Sequence, residues 1–148
     1  MAAPNFGSQG RGLAIGFIAG AVSALTFHAF AWWIFYLIGM QAIPPYPMRP
    51  NMINVPLFIS LTFWAGIWGI VMVWLAPRLA QPFWVVCLIV SLAASVVQAF
   101  VLPAVRGPGI NWDVVAILRS FVINGVWAVG VAIIAPLVSN ALGQRSPA

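Results

Sequence analysis

Charged residues are confined almost entirely to the gaps between four long apolar stretches, and this spacing constrains the fold more than any other feature. Six basic residues and one acidic residue occur in 148, so 5% of the chain is charged, against about a quarter of a soluble domain. Each stretch reaches the roughly 20 residues that cross a hydrocarbon core of about 30 Å. The pattern predicts an all-α integral membrane protein, a four-helix bundle in one domain. We place its helices at about residues 13–39, 55–76, 83–102 and 112–138, with Pro136 expected to kink or end the last one.

The positive charge is scattered along the chain, which argues against a nucleic-acid partner. The formal net charge is +5, and all six basic residues are arginines that stand singly. Nucleic-acid binding needs basic residues clustered on one face. The expected surroundings are therefore the lipid bilayer. Arginine without lysine, together with abundant Ala, Gly and Pro, indicates a GC-rich bacterial genome and hence a bacterial inner membrane.

The orientation in the membrane follows from the arginines that flank the helices. One side of the predicted bundle carries the amino terminus with Arg11, Arg78 and Arg145, and the other side carries Arg49 and Arg106. Short loops that are rich in arginine stay in the cytoplasm. We therefore expect both termini in the cytoplasm, by a margin of three arginines to two.

The chain is too poor in reactive side chains for most catalytic sites. It contains one histidine, one cysteine and one acidic residue. One His and one Asp at different depths of a membrane do not provide a nucleophile, a base and an orienting acid, and a metal centre fails on the number of ligands. We expect no enzymatic activity, no metal and, apart from a role for His28 considered below, no cofactor.

A ladder of small residues runs along helix 1 at every fourth position. Small residues at this spacing let the backbone of another helix approach closely. Thr62, Gly66 and Gly69 form a matching strip on helix 2, so we favour packing within the chain. A homodimer interface, or a docking face for a larger membrane complex, is the alternative. The ladder and its continuation comprise Gly12, Gly16, Gly20, Ala24, His28, Trp32 and Tyr36.

His28 is the one ionisable side chain in the apolar interior of predicted helix 1. A polar group in hydrocarbon needs a hydrogen-bond partner, and ionisable residues within a membrane are candidates for function. Three roles stay open: a structural hydrogen bond, which we favour, a proton relay, and an axial ligand of haem or of a chlorophyll-type pigment. A haem held by two histidines would need a second chain, whereas a pigment would need one ligand and aromatic walls, which Trp32, Trp64 and Trp68 would supply.

Polar side chains on helices 3 and 4 define a second candidate region. Ser91, Ser95 and Gln98 share one stripe of helix 3, and Ser120 and Asn124 lie four residues apart on helix 4. They either line a narrow polar seam or form hydrogen bonds between helices, which contribute about 0.6 kcal/mol each. We favour the hydrogen bonds.

Arg119 lies inside predicted helix 4, roughly 10 Å along its axis at 1.5 Å per residue. Its long side chain can return to the interface while its stem stays in the apolar region. We favour this interpretation, with a site for an anion or a lipid headgroup as the alternative.

Three segments carry a resemblance to a known type of protein. The chain resembles small four-helix bacterial inner-membrane proteins whose activity is uncharacterised, and the resemblance covers most of its length. It implies the four-helix fold but no activity and no functional residues. Small multidrug transporters are less similar, because they are shorter and depend on a glutamate in helix 1 that this chain lacks. The segments are G-F-I-A-G-A-V-S-A-L-T-F-H (Gly16 to His28), F-W-A-G-I-W-G (Phe63 to Gly69) and N-G-V-W-A-V-G (Asn124 to Gly130).

Three functions are compatible with these features. The first, which we favour, is a structural or accessory subunit that packs against a larger membrane complex through the glycine-rich face of helix 1. The second is a small homodimeric transporter or channel that uses His28 and the polar seam between helices 3 and 4. The third is a haem- or pigment-binding membrane protein in which His28 is the ligand.

Overall fold

The computed structural model describes residues 6–51, 54–106, 109–110 and 112–143, and four long helices dominate this part of the chain. Helix α1 spans Gln9–Leu37, α2 spans Leu57–Leu79, α3 spans Phe83–Val105 and α4 spans Val114–Gly143. Each is long and apolar enough to cross a membrane. No β-strand occurs among the described residues. The chain is an all-α four-helix bundle and a small polytopic membrane protein, as its apolar stretches predict.

The helices differ from the predicted bounds mainly at their ends. Helix α1 begins at Gln9, before the apolar stretch starts, because the Gly12 N–H already donates to the Ser8 carbonyl at 2.9 Å. Pro136 does not end α4, which continues to Gly143. Membrane helices tolerate an internal proline because neighbouring groups satisfy the carbonyl that it frees. Apolar runs locate the membrane-spanning part of a helix but not the turns beyond it.

Two of the four helices contain a π-helical turn, which the sequence did not predict. The turns are Ala24–His28 in α1 and Val97–Val101 in α3, and the chain continues after the second turn as a short α-helical segment, Leu102–Arg106, whose first four residues belong to the span of α3 given above. Such single turns are rare and occur frequently at functional sites. Because successive membrane-spanning helices are antiparallel, the second halves of α1 and α3 lie in the same half of the bundle. Both π turns therefore belong to one half of the molecule.

The glycine ladder of α1 packs against α2 of the same chain. A Cβ atom added to Gly16 would lie 2.6 Å from the carbonyl oxygen of Gly69, and one added to Gly20 would overlap the carbonyl of Ala65. The two backbones approach so closely that only glycine fits at these points of α1. Of the two interpretations of the ladder, the structure therefore shows packing within the chain.

Gly12, Gly66 and Ala24, the other predicted packing positions, also contact residues of the same chain. A Cβ atom on Gly12 would lie 3.4 Å from Val73 Cγ1, and one on Gly66 would lie 2.6 Å from the ring of Phe17. Ala24 is partly buried and packs at the edge of the core. The whole small-residue face of α1 is thus covered by other parts of this chain.

Helix α1 is also joined to α4, by hydrogen bonds that lie in the core. Ser23 Oγ donates to the Trp127 carbonyl at 2.7 Å, and Trp127 Nε1 donates to the Gly20 carbonyl at 3.0 Å. Both side chains are almost completely buried. Their polar groups depend on these two bonds, because the surrounding hydrocarbon offers no hydrogen-bond partner. The largest fully buried side chains around them are Ile15, Met72, Val86 and Val131.

The outer surface of the bundle is apolar, as a lipid environment requires. Large hydrophobic side chains project from all four helices with about half of their surface exposed, and polar side chains are concentrated between the helices. Polar groups that face lipid would remain without partners. The exposed apolar residues include Phe30, Trp64, Leu92, Leu118 and Leu137.

Candidate functional site

Polar side chains from three helices converge on one cleft in the half of the bundle that contains both π turns. The cleft has a volume of about 230 Å³. It brings together the candidates that the sequence analysis treated separately: His28 from α1, Gln98 from α3, and Arg119, Ser120 and Asn124 from α4. The complete lining is His28, Trp32, Gln41, Gln98, Ala99, Pro103, Ala116, Ile117, Arg119, Ser120, Ile123 and Asn124.

The two amides of the cleft are hydrogen-bonded to each other. Asn124 Nδ2 donates to Gln98 Oε1 at 3.0 Å, which links α4 to the π turn of α3. Asn124 is buried, with 8% of its surface exposed. The predicted polar seam and the predicted interhelical bond therefore coexist, because the bonded pair forms part of the cleft wall. The bond leaves the two N–H groups of the Gln98 amide for other acceptors.

The serines of α3 do not take part in the cleft. Ser91 Oγ donates to the Leu88 carbonyl and Ser95 Oγ to the Ser91 carbonyl, both at 2.8 Å, so both hydroxyls bond back to their own helix. The sequence analysis placed them on one stripe with Gln98 by assuming a regular helix. The π turn begins at Val97 and changes the helical phase between the serines and Gln98.

Ser120 has a buried hydroxyl, and its Oγ atom has no hydrogen-bond partner among the described residues. Leaving a buried hydroxyl unsatisfied costs about 1–3 kcal/mol, so such atoms are rare in folded proteins. Because the oxygen has almost no accessible surface, the hydroxyl reaches a group in the cleft only after a rotation of the side chain about χ1.

Arg119 lies at the edge of the cleft, five residues after the first residue of α4 and thus about 7.5 Å along its axis. Its Nη1 atom donates to the backbone carbonyl of Met40, just after the end of α1. The side chain thus reaches from α4 to the end of α1, and it also lines the cleft. The single acidic residue of the sequence, Asp113, is not among the lining residues. The cleft consequently carries a positive charge without a carboxylate in its wall.

His28 belongs to the π turn of α1 and lines the cleft next to Trp32. The two rings meet edge to face, with centroids 5.7 Å apart and an interplanar angle of 63°. In the part of the chain that the structure describes, His28 forms no hydrogen bond, so the structural bond that we favoured is not found there. The imidazole borders the cleft through its ring and leaves its nitrogen atoms without a protein partner in the described residues.

The connection between α1 and α2 folds back over the cleft, a role that the sequence analysis missed. Gln41 lines the cleft, and Trp32 Nε1 donates to the Ile43 carbonyl at 2.9 Å. The hydroxyl of Tyr46 donates to the carbonyl of Leu25, a residue of the π turn. The signal in the sequence was the group of prolines in this connection, which makes it stiff enough to hold a fixed position.

The chemistry of the cleft follows from its side chains. They offer a guanidinium, a hydroxyl, primary amides and an imidazole, which together supply mostly hydrogen-bond donors. Within the described residues, no group of three metal-ligating side chains occurs. Such an arrangement is suited to holding a small polar molecule by hydrogen bonds and charge.

Comparison with known proteins adds no family to this description, since no protein-family model, no curated protein and no solved structure matches the chain.

Proposed function

We propose that this protein is a small membrane transporter or channel that admits a small polar solute into the cleft between α1, α3 and α4. The observation that carries the proposal is the convergence of His28, Gln98, Ser120 and Asn124 within the membrane-spanning helices. Polar and ionisable residues at this depth are expensive, and they mark substrate pathways when they face an internal cavity. The π turns at both His28 and Gln98 agree with this, because such turns occur frequently at functional sites.

The size of the cleft favours a small solute over a pigment. Its volume of about 230 Å³ lies below the roughly 300–1,000 Å³ that is typical of sites for drug-sized ligands. A haem or chlorophyll-type macrocycle is as large as such ligands or larger and does not fit a cleft of this volume. A solute of a few heavy atoms does.

The packing of α1 weighs against an accessory subunit that docks through its glycines. Gly16 and Gly20 contact the α2 backbone of the same chain, so this face offers no surface to a partner. The proposed transporter forms its cleft from residues of one chain. It catalyses no chemical reaction and works in a bacterial inner membrane with both termini in the cytoplasm.

A solute-uptake assay on the purified protein tests the proposal. The protein is reconstituted into phosphatidylcholine vesicles, and uptake is followed by stopped-flow light scattering after osmotic shock. The panel contains neutral solutes (urea, glycerol), a cation (methylammonium) and anions (formate, nitrate). At least one of these is expected to enter protein-containing vesicles faster than empty ones.

A matched pair of substitutions on α3 assigns the uptake to the cleft. Ala99 lines the cleft, whereas Ala93 faces outward on the same helix. Ala99→Trp fills the cleft and is expected to abolish the accelerated uptake, while Ala93→Trp leaves it unchanged. If no solute of the panel enters faster with the wild-type protein, or if both variants transport equally well, the proposed function is wrong.

A further inference from the structure

The charges and hydrogen-bond donors of the cleft restrict the class of solute. This step rests on the proposed function, since it concerns the same cleft, but it can fail separately. Arg119 brings a permanent positive charge to the lining, and the lining contains no carboxylate that would compensate it. A charged side chain inside a membrane-spanning helix is costly. An anion in the cleft would offset that cost, whereas a cation would increase it.

The donors around Arg119 are incompletely used. A guanidinium has five N–H groups, and the structure records one hydrogen bond from Arg119, to the Met40 carbonyl. Ser120, the next residue along α4, has a buried Oγ with no partner in the described residues. The Gln98 amide accepts from Asn124 and keeps its own N–H groups. Within the described residues, these three lining side chains thus have donors for which no acceptor is recorded, and an oxygen-rich anion would satisfy them.

The geometry points to a small oxyanion, of the carboxylate or nitrate type, bound in the cleft by Arg119, Ser120 and Gln98. Planar oxyanions match the fork of N–H groups that a guanidinium presents, and these bonds are about twice as strong as neutral ones. The volume of about 230 Å³ is sufficient for an anion of this size. The same chemistry is offered by a free anion and by the phosphate of a lipid headgroup, so the experiment must separate the two sources.

Binding is measured on the whole protein in a non-ionic maltoside detergent, which carries no phosphate. Sodium formate is titrated by calorimetry and by tryptophan fluorescence, because Trp32 lines the cleft. The ionic strength is held constant with sodium chloride, whose anion carries no oxygen atoms that could match the fork of N–H groups. Dihexanoylphosphatidylglycerol, a short lipid with a phosphate headgroup, is titrated in parallel. Saturable formate binding identifies a free oxyanion as the ligand.

Two arginine variants of matched charge test the assignment. Arg119→Gln is expected to weaken formate binding by about 10–100-fold, since it removes a charge-assisted bond. Arg49→Gln removes the same charge from the exposed connection on the same side of the bundle and should leave binding unchanged. Arg119→Lys keeps the positive charge but loses the planar fork of N–H groups. Its affinity for formate should therefore lie between that of Arg119→Gln and that of Arg49→Gln.

A serine variant guards against loss of the fold. Arg119 also holds the Met40 carbonyl, so Arg119→Gln could loosen the protein. Ser120 Oγ makes no bond with the described residues, so Ser120→Ala breaks no such contact and should keep the melting temperature. It is nevertheless expected to weaken formate binding by about tenfold, the loss of one hydrogen bond to a charged group.

The outcomes separate this inference from the proposed function. If the short lipid binds and formate does not, the oxyanion is a headgroup phosphate and a free solute is ruled out. If neither binds to the wild-type protein, or if Ser120→Ala and Arg119→Lys bind like wild type, the inference is wrong. A third outcome is that Ala99→Trp abolishes the uptake of urea or glycerol while formate shows no binding. This result would support the proposed transporter and contradict only the inference that it binds an oxyanion.

Discussion

The contact between α1 and α2 depends on single glycines, since any side chain at Gly16 would enter the backbone of α2. A Cβ atom there would lie 2.6 Å from the Gly69 carbonyl oxygen and 3.0 Å from Ile70 Cα, and a backbone cannot move aside as a side chain can. We expect Gly16→Ala to lower the free energy of unfolding by about 1–3 kcal/mol, the usual cost of overpacking. Unfolding in mixed micelles at increasing sodium dodecyl sulfate, followed by circular dichroism, measures the change.

Gly125 provides the matched control for this substitution. It lies inside α4, and a Cβ atom added there meets no other atom within 4 Å. Gly125→Ala should therefore change the stability by less than about 0.5 kcal/mol, or raise it slightly because alanine is the better helix former. Equal losses from the two variants would mean that α1 and α2 do not approach as closely as described.

A further prediction concerns the hydrogen bond between Gln98 and Asn124. Asn124→Leu leaves the Gln98 amide without its donor, and Gln98→Leu leaves the Asn124 amide without its acceptor. The double variant removes both groups, so its destabilisation should be smaller than the sum of the single ones. We expect a coupling energy of about 0.6 kcal/mol, and at most about 1.7 kcal/mol, from the double-mutant cycle. Additive losses would show that the two amides do not interact.

The residues of the cleft were largely predictable, and their arrangement was not. His28, Gln98, Arg119, Ser120 and Asn124 stand out because polar side chains are rare in apolar helices. Their convergence depends on which helices are neighbours, and the apolar pattern alone does not fix that. Gln41 and the Met40 carbonyl escaped notice because a loop residue carries no periodicity that would indicate where the chain folds back.

At the scale of the helices, the apolar stretches predicted the number and approximate position of the spans, and the π turns remained hidden. Neither Ala24–His28 nor Val97–Val101 contains glycine or proline, the residues that usually signal a break in a helix. The turn of α1 follows Gly16 and Gly20, which pack against α2, and it ends at His28, which lines the cleft.

A deletion tests the π turn of α1 directly. A π turn closes its hydrogen bonds between residues five apart, one more than an α turn. Thr26 is exposed in the middle of this turn. Removing it should therefore produce a regular helix in which the residues before and after the turn still face the same neighbouring helices. We expect the variant to remain folded, with a loss of about 1–3 kcal/mol that reflects local repacking. Its melting in detergent, compared with that of the wild-type protein, gives the answer.

The control deletion is placed in a helix without a π turn. Val122 is exposed in the middle of α4. Removing it rotates one part of α4 against the other by about 100°, since an α-helix has 3.6 residues per turn. This separates Arg119 and Ser120 from Asn124 and Trp127, and the variant should not fold. If the Thr26 deletion is as damaging as the Val122 deletion, the extra residue of α1 is not accommodated in a π turn.

For the whole molecule, four spans place both termini on one side of the membrane, and the cleft lies in the half near the opposite side. Gln41, in the connection that also carries Arg49, lines the cleft. The side that this connection occupies therefore decides which compartment exchanges solute with the cleft. The count of arginines predicts the cytoplasm for the termini and the opposite compartment for the connection.

Cysteine labelling determines the orientation of the protein in the membrane. The natural cysteine, Cys87, does not interfere, because it is completely buried and a maleimide cannot reach its thiol. Single cysteines replace three exposed residues, Ser8 before α1, Gln81 between α2 and α3, and Met48 in the α1–α2 connection. On intact spheroplasts, a membrane-impermeant maleimide should label Met48→Cys alone, and Ser8→Cys and Gln81→Cys should react only after permeabilisation. The reverse pattern would mean that the cleft faces the cytoplasm and that the orientation predicted from a margin of one arginine is wrong. Labelling of Ser8→Cys and Gln81→Cys from opposite sides would contradict the bundle itself, since α1 and α2 together must return the chain to the side from which it started.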